Sequence, residues 1–554
     1  MSASGRSAAQ ESVALVDLLG EFLNARPVAA PRAPTGRPGV IRAADLCLRG
    51  IAQVIFMNQP LCGLLILAGM ALQSWMLALF ALLGVAASTG WAAFTIDDRG
   101  GIDAGIYGYN GALVGAAVAT FGQIDSIRAG LLWSLCTMVF AAASSAVLKR
   151  LGRWLIRHGV PALTFPFVLC TLACFALVSA LGLPGLSLAP ASSETVTAVI
   201  GPVQWLEGAA LIGFGQVFFV GQLAAAVLVV MGVLQASPLG AAIGLTGGLA
   251  GLVAGLLMGA SADSMAAGLL SYNAILCALA LGGVFFAFSL RSLAIGVAAA
   301  WVSAILGQLL AALLAPLGLP ALTLSFCLVT AAVMMLVRHR LPALIPVSMH
   351  AIHSPQEHRR RYAVAVGLLR DFRRNLQAGL SLGGVRRQSL KARADASVVQ
   401  ELDALFARLD RDGDGRLSRV DLAGGLRAFE PVADQTDPWS DAVAAAERRL
   451  DMLESIERLL HVLAPESDDQ IDATQFAELM LRCRRLLRDR DRLLTYLQPI
   501  SADPTRPIGR SELDRLLVSL GQSPLEDQEW TAVVRLTGGR LLTWGAVVDL
   551  MLIT

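Results

Sequence analysis

The chain has 554 residues, of which 55% are hydrophobic and only 16% are charged, and its formal net charge is +2. A soluble protein of ordinary composition carries about a quarter charged residues, so these figures exclude a wholly soluble enzyme and favour a membrane protein. The net charge averages over an apolar region and a charged tail, and we expect no nucleic-acid partner and no catalytic residue.

Residues 1–44 are polar and rich in Ala, Pro and Arg, and they lack the apolar stretch of a signal peptide. Beyond them, apolar runs long enough to cross about 30 Å of hydrocarbon follow one another with very short polar breaks. About ten crossings are predicted, five in each half of this region. They lie at 60–73, 74–95, 104–121, 127–148, 161–181, 220–236, 237–260, 267–289, 292–315 and 320–337.

Basic residues predict the orientation of these crossings. If the N-terminus lies inside the cell, the arginines between residues 26 and 49 and the basic cluster at 149–157 face the cytoplasm. The opposite loop at 181–200 has no basic residue, and Arg128 is the one clear exception. This bias predicts a multi-pass protein of the cell (inner) membrane with both termini in the cytoplasm.

Three short blocks of sequence recur in the same order. "GIAQVIFMNQ" (50–59) returns as "GFGQVFFVGQ" (213–222), "YGYNGALVG" (107–115) as "LSYNAILCA" (270–278), and "PALTFPF" (161–167) as "PALTLSF" (320–326). The recurrence indicates internal duplication. Because one copy holds an odd number of crossings, the second copy must enter the membrane upside down. Inverted repeats of this kind place a solute site near the midplane, at the axis between the copies.

Polar residues that occur in both copies are the first candidates for that site. They are Gln53 and Gln216, Tyr109 and Tyr272, Asn110 and Asn273, and Thr164 and Thr323. A single residue of this type usually only bonds one helix to another, but recurrence at symmetric positions favours a solute role for the glutamines and threonines. The predicted spans contain no histidine and no basic residue at mid-membrane, so the path suits a small neutral solute that forms hydrogen bonds.

Taken together, the three repeated blocks resemble the urea transporter family over residues 45–337. The resemblance implies an all-α membrane protein with two inverted repeats, each of five transmembrane helices and one re-entrant helix. It also implies a homotrimer with one pore per subunit, through which urea passes as in a channel without a cofactor. In such a path, oxygen atoms accept the N–H groups of urea while apolar side chains press on its flat faces.

The resemblance also implies ten pore residues in five pairs. These are the acceptors Gln53 and Gln216, the clamping rings Phe56 and Phe219, the pore-lining Tyr109 and Tyr272, the narrowing Leu113 and Leu276, and the flanking Thr164 and Thr323. Two departures leave the symmetry open: Ser325 stands where the first copy has Pro166, and Gly221 where it has Asn58.

The tail contains the segment "DRDGDGRLSRVD" (410–421), which resembles an EF-hand calcium loop and follows a helical pattern. The predicted ligands are Asp410, Asp412, Asp414, the carbonyl oxygen of Arg416, Ser418 and Asp421. Glutamate is usual at the last of these positions. The shorter Asp421 predicts weaker calcium affinity or a shift toward magnesium.

EF-hands occur in pairs, and three further segments have a similar rhythm with most ligands lost: 464–475, 501–512 and 537–545. They predict two calmodulin-like lobes with one competent loop. The alternative is a structural or trafficking module that does not sense calcium.

These patterns predict five regions: an N-terminal cytoplasmic segment (1–44), the first channel repeat (45–200), the second channel repeat (201–338), a basic linker (339–397) and the EF-hand-like domain (398–554). The linker fits either a solvated segment or one that lies on anionic lipid. The predicted function is passive urea transport, with calcium as a modulator. An ion-coupled transporter of a small polar solute and a calcium-responsive membrane scaffold remain as alternatives.

Overall fold

A computed structural model describes residues 39–337 except 97, 183–184, 189–200 and 287. In the tail it describes 354–355, 370, 373–374, 377, 391, 394, 396–410, 413–418, 470–481, 507–519, 522–536 and 543. The chain forms two compact units that meet between residues 362 and 363. The first unit is helical throughout its described secondary structure, as the sequence predicts for the membrane region.

Seven helices form the first half of this unit. They are α1 Gly39–Gln53, α2 Pro60–Gln73, α3 Trp75–Thr95, α4 Arg99–Asp103, α5 Tyr109–Phe121, α6 Ile127–Arg157 and α7 Phe165–Leu181.

The second half repeats this order with small differences. Its elements are α8 Pro202–Glu207, a π-helical turn Gly208–Ile212, α9 Gly213–Gln216, α10 Leu223–Ala236, α11 Pro238–Met258, α12 Ala262–Ala266, α13 Tyr272–Leu279, a π-helical turn Ala280–Val284, α14 Leu290–Leu314, a 3-10 turn Ala315–Leu317 and α15 Leu324–Val337. The helix α1 therefore corresponds to the run from α8 to α9.

An apolar helix lies at each of the ten predicted crossings. Four of them, including the stretch Leu290–Leu317, have at least 18 residues and are long and apolar enough to cross a membrane. The other six are apolar helices of 10–17 residues. Local sequence explains where several begin: proline occupies the first turn of α2 and α11, and the Ser126 and Ser289 side chains accept the backbone N–H of Ala129 and Ser292.

One predicted boundary is wrong. The fourth crossing was predicted to end at residue 148, with the basic residues 149–157 in a loop, but α6 continues to Arg157. Lysine and arginine are good helix formers and are favourable near a helix C-terminus, so a change from apolar to basic residues does not end a helix. Gly159, whose φ is +73°, is the first residue past the helix that departs from right-handed backbone.

The centre of the first unit is built on α5 and α13. Every residue from Asn110 to Val118 and from Asn273 to Val284 is buried, which is the pattern of a helix surrounded by other helices. Close approach is possible because small residues lie at the crossings: a Cβ atom at Gly84 of α3 would overlap the carbonyl oxygen of Gly111. With 13 residues, α5 is only about 20 Å long, too short to cross the hydrocarbon alone.

The second unit contains short helices and one small sheet. Its elements are α16 Ala396–Leu409, β1 Arg416–Ser418, β2 Gln470–Asp472, α17 Arg510–Ser519 and α18 Asp527–Leu536, with a further helical stretch at 473–481. The strands pair antiparallel, with Leu417 opposite Ile471. Phe406 of α16 and Phe476 are buried against each other, with ring centroids 5.6 Å apart.

Candidate functional site

The two predicted glutamines make the same hydrogen bond at equivalent places. Gln53 at the end of α1 donates its Nε2–H to the carbonyl oxygen of Ala104 at 2.9 Å, and Gln216 at the end of α9 donates to that of Ala267 at 3.0 Å. Each amide group thereby uses a donor on the backbone. The side-chain oxygen of each glutamine is left as an acceptor, which is the role predicted for this pair.

Phe56 and Phe219 have backbone conformations that are rare for residues with a side chain. Their φ angles are 62° and 61°. At each helix end, the N–H of the phenylalanine bonds the glutamine carbonyl oxygen three residues earlier, and the next N–H bonds the residue before that glutamine, at 3.0–3.1 Å. This is a Schellman motif, in which the left-handed position is usually glycine. A phenylalanine there costs about 1–2 kcal/mol, and such strain is concentrated at functional sites.

Each of these phenylalanines contacts a ring from the other half of the unit. Phe56 lies edge-on to Phe285 with centroids 5.7 Å apart, and Phe219 lies edge-on to Phe121 at 5.9 Å. Phe56 also contacts Phe326 at 6.2 Å. Repeat analysis missed Phe121 and Phe285 because they are 164 residues apart, one more than the offset of 163 that aligns the surrounding sequence.

The two threonines are brought together. The Oγ1 atoms of Thr164 and Thr323 are 2.6 Å apart, so the hydroxyl groups are hydrogen-bonded to each other across the two halves. The Sγ atom of Cys327 lies 3.1 Å from Oγ1 of Thr164. This buried cluster joins α7 and α15 at their N-terminal ends.

The two tyrosines bond to the residues that precede these threonines. Tyr109 donates its hydroxyl to the carbonyl oxygen of Leu163 at 2.5 Å, and Tyr272 donates to that of Leu322 at 2.7 Å. Both leucines also have left-handed backbone, with φ of 48° and 49°. A signal for them was present in the sequence, since the leucine before the threonine is part of the repeated "PALT" block.

A cavity of about 530 Å³ lies beside this arrangement in the first half. Four of the ten predicted pore residues line it, namely Gln53, Phe56, Tyr109 and Thr164, together with Phe285 and Phe326 from the second half. Gln216, Phe219, Tyr272 and Thr323 have equivalent contacts but do not line this cavity. Leu113 and Leu276 are buried in α5 and α13 and do not line it either, so their narrowing role stays a prediction.

One end of the cavity is charged. Among the described residues that line it, the charged side chains are those of Asp98, Lys149 and Arg153. Asp98 accepts the backbone N–H of Gly101 at 2.8 Å and the hydroxyl of Tyr107 at 3.0 Å. The continuation of α6 past residue 148 carries the two basic residues to this end, which the predicted helix boundary did not foresee.

The predicted calcium loop is only partly described, because Asp412 and Asp421 lie outside the described residues. Gly415 has φ of +76° and donates its N–H to Oδ2 of Asp410 at 2.9 Å, while Arg416 N–H bonds Oδ1 of Asp414 at 2.7 Å. Oδ1 of Asp410 is buried with no hydrogen-bond partner in the described part of the chain. An unpartnered buried carboxylate oxygen fits a hard cation such as calcium.

The segment 464–475 pairs with this loop in the expected register. Leu417 is the eighth residue of its loop, and its partner Ile471 is the eighth residue of 464–475. An isolated bridge likewise joins Pro507 to Thr543, from the other two predicted segments. Most ligand positions of these three segments lie outside the described residues.

Residues of the predicted linker contact the helices of the second unit. Arg373 bonds both carboxylate oxygens of Glu529 at 2.9–3.0 Å and also the carbonyl oxygens of Ser523 and Pro524. Gln377 donates to the same carboxylate at 2.8 Å. Burial of Glu529 alone would raise the pKa of its carboxyl group, but the hydrogen bonds from Arg373, the Glu526 N–H and Gln377 lower the pKa below its usual value.

Lys391 connects the linker to the other pair of segments. Its backbone N–H bonds the carboxylate of Glu478 at 3.0 Å, and its Nζ lies 2.9 Å from Asp403 of α16. Part of the region from residue 370 onward is therefore held against the second unit. The boundaries 339–397 stay a prediction.

Comparison with known proteins was made for the whole chain. The model of the urea transporter family matches residues 44–338. Urea transporter 1 of Capra hircus is 30% identical over 332 residues, which cover 58% of this chain and 84% of that protein, and the values for Ovis aries are the same. Urea transporter 1 of Mus musculus is 30% identical over 303 residues, covering 53% and 77%.

Proposed function

Because this chain belongs to the urea transporter family, we propose that it conducts urea passively through the membrane, past the Thr164–Thr323 pair. The chain is a multi-pass membrane protein, and its role is transport of a solute, not its chemical conversion. The relatives' name gives the solute, and the site is chemically suited to it. Urea is flat and has four N–H donors, each of which loses a hydrogen bond to water on entry.

The observation that carries this proposal is the pair of glutamine–carbonyl hydrogen bonds, Gln53 to Ala104 and Gln216 to Ala267. Each bond fixes an amide so that its oxygen remains to accept a solute N–H. An N–H group that found no acceptor would raise the barrier by about 1–3 kcal/mol. The strained Phe56 and Phe219 stand three residues further on and would hold the flat faces of urea.

We also propose that the two halves are inverted repeats. The recurrence of elements from α1–α7 in α8–α15 supports this arrangement, because each half has five crossings and one short helix that does not cross. The homotrimer, the inner-membrane location and the cytoplasmic termini are further parts of the proposal. Native mass spectrometry of the purified protein should give three subunits, and protease added outside intact cells should leave both termini uncut.

Calcium binding is proposed for the segment 410–421. Asp410, Asp412, Asp414, Ser418, Asp421 and the carbonyl oxygen of Arg416 would hold the ion, with magnesium as the competitor. The buried, unpartnered Oδ1 of Asp410 supports the proposal. A bound cation would supply the positive charge that holds these oxygen atoms together. We propose that this modulates urea flux, without assigning the direction.

Stopped-flow urea efflux from proteoliposomes tests the function. We expect rapid, saturable flux above that of empty liposomes, with the same rate in the presence or absence of a sodium gradient or a pH gradient. Flux that requires either gradient would instead support an ion-coupled transporter. Binding of calcium without any urea flux would support a membrane scaffold. Measurements in calcium and in chelator give the size and sign of any modulation.

A further inference from the structure

We infer that the thiol of Cys327 fixes the direction of the hydrogen bond between Thr164 and Thr323, so that the centre of the path offers oxygen lone pairs and no hydroxyl proton to the solute. The inference rests on the proposed urea transport and adds a positioning residue to it. It also defines the solute class as small amides with N–H donors on both edges.

The first step is the proton count between the threonines. Their oxygen atoms are 2.6 Å apart, and one hydrogen bond contains one proton, so one hydroxyl donates and the other accepts. The two halves cannot be equivalent at this point, whatever the symmetry of the backbone. The hydroxyl that accepts must then place its own proton elsewhere.

Cys327 decides which threonine accepts. If Thr323 donates to Thr164, the proton of Thr164 has an acceptor in Sγ of Cys327, 3.1 Å away. If Thr164 donates to Thr323, the proton of Thr323 has no acceptor among the described residues. An unpaired hydroxyl donor in a buried site costs about 1–3 kcal/mol, whereas a thiol is a weak donor and loses less when its own proton is unpaired. The order is therefore Thr323 to Thr164 to Cys327.

In this order the threonine oxygens face the path as acceptors. A hydroxyl has two lone pairs, so Thr323 keeps both and Thr164 keeps one. The tyrosine hydroxyls follow the same rule, because Tyr109 and Tyr272 donate to the carbonyl oxygens of Leu163 and Leu322. Each of the four hydroxyl protons is used inside the protein, and a solute is met only by acceptors.

Only the second half carries this thiol. The residue equivalent to Cys327 in the first half, four residues after its threonine, is Val168, which cannot accept a hydrogen bond. The structure thus has one acceptor for one leftover proton. Repeat analysis could not find Cys327, because that analysis selects residues that occur twice.

The test compares urea with formamide in proteoliposomes that contain the full-length protein. Urea has N–H donors on both edges, whereas formamide replaces one amino group with C–H. The variants are C327S, which keeps an acceptor, and C327A and C327V, which remove it. C277V is the matched control, because Cys277 is also buried and its Sγ lies 3.5 Å from the hydroxyl of Thr330.

We expect C327A and C327V to lower urea permeability about tenfold and to lower the urea-to-formamide ratio, since an unpaired donor is added at the centre. C327S and C277V should stay within about twofold of the unmodified protein, a change smaller than the loss of one hydrogen bond. Unchanged flux and ratio in C327V would overturn the inference, and so would a loss in C327S equal to that in C327V. An unmodified protein without urea flux overturns the proposed function itself, which is a separate and recognisable result.

Discussion

Phe56 and Phe219 lie 163 residues apart in sequence and end their helices with the same left-handed backbone, at φ of 62° and 61°. Glycine would occupy this position without strain, so the phenyl ring is retained at an energetic cost. That cost makes the two positions a sensitive test of whether the rings serve the path.

Replacing Phe56 or Phe219 with glycine should therefore separate stability from transport. We expect urea flux to fall several-fold while the helix end gains about 1 kcal/mol from relief of the left-handed strain. The loss of the buried ring offsets this gain, so the thermal midpoint should fall less than in an ordinary buried Phe-to-Gly change. Phe56→Leu is the control that keeps the strain and the apolar bulk. Wild-type flux in Phe56→Gly would rule out a clamping role.

Removing either central hydroxyl should slow urea. Valine has nearly the shape of threonine, and Thr164→Val or Thr323→Val leaves one hydroxyl without its partner, which we expect to cost about tenfold in stopped-flow flux. The double variant should lose less than the product of the two single losses, because no orphaned hydroxyl remains. If flux is unchanged in both single variants, these threonines do not flank the path.

Calcium titration of the full-length protein in detergent should reveal one site. Asp410→Asn keeps an oxygen for the Gly415 N–H but loses the charge, and we expect calcium affinity to fall more than tenfold. Asp472→Asn is the control, since Asp472 lies in the paired segment with few remaining ligands and should leave the affinity unchanged. Two or more equivalent sites would contradict the prediction that the other segments are degenerate.

Acid should loosen α18 through Glu529. Its pKa is lower in the folded protein than the ordinary value of 4.5, so the folded state favours the carboxylate. The stabilisation is complete above pH 4.5 and is lost as pH falls through the folded pKa. Hydrogen exchange of the amides in 527–536 should accelerate in that range, and Glu529→Gln should remove most of this pH dependence.

Arg373 tests the same contact from the linker side. Arg373 and Glu529 have side chains only 12% and 2% exposed, so Arg373→Ala should destabilise α18 by about 3 kcal/mol, measured by hydrogen exchange. The nearby pair of Arg510 and Asp527 is the control. Asp527 is 90% exposed, and Asp527→Asn should change stability by less than about 1 kcal/mol. Equal effects of the two changes would mean that the linker is not held by Arg373.

Much of the fold could be predicted because hydropathy and repetition are properties of the sequence. Ten apolar helices lie where ten crossings were predicted, and the helix starts at Pro60 and Pro238 follow from proline chemistry. The end of α6 could not be predicted in this way. Its last turns are basic, and only the packing of the chain decides whether such residues continue a helix or form a loop.

The site was predictable where both halves use the same residue. Gln53 and Gln216, and Thr164 and Thr323, were found by recurrence, and their contacts are equivalent or mutual. Cys327 has no counterpart, and the carbonyl oxygens of Leu163 and Leu322 depend on φ angles that no residue type specifies. A backbone acceptor has no letter in the sequence, and this is the physical reason that such groups were missed.

The π-helical turn Ala280–Val284 bears on any attempt to rebuild the protein from one half. The turn lets Phe285, and not Val284, take the contact that Phe121 makes in the other half. The capping serines Ser126 and Ser289 are again 163 residues apart, so the extra residue is absorbed within a few positions. A tandem duplicate of residues 39–181 would therefore lack this local slip in register. Its two aromatic gates would become twins, and a vectorial difference between influx and efflux, if the natural protein has one, would vanish with the slip.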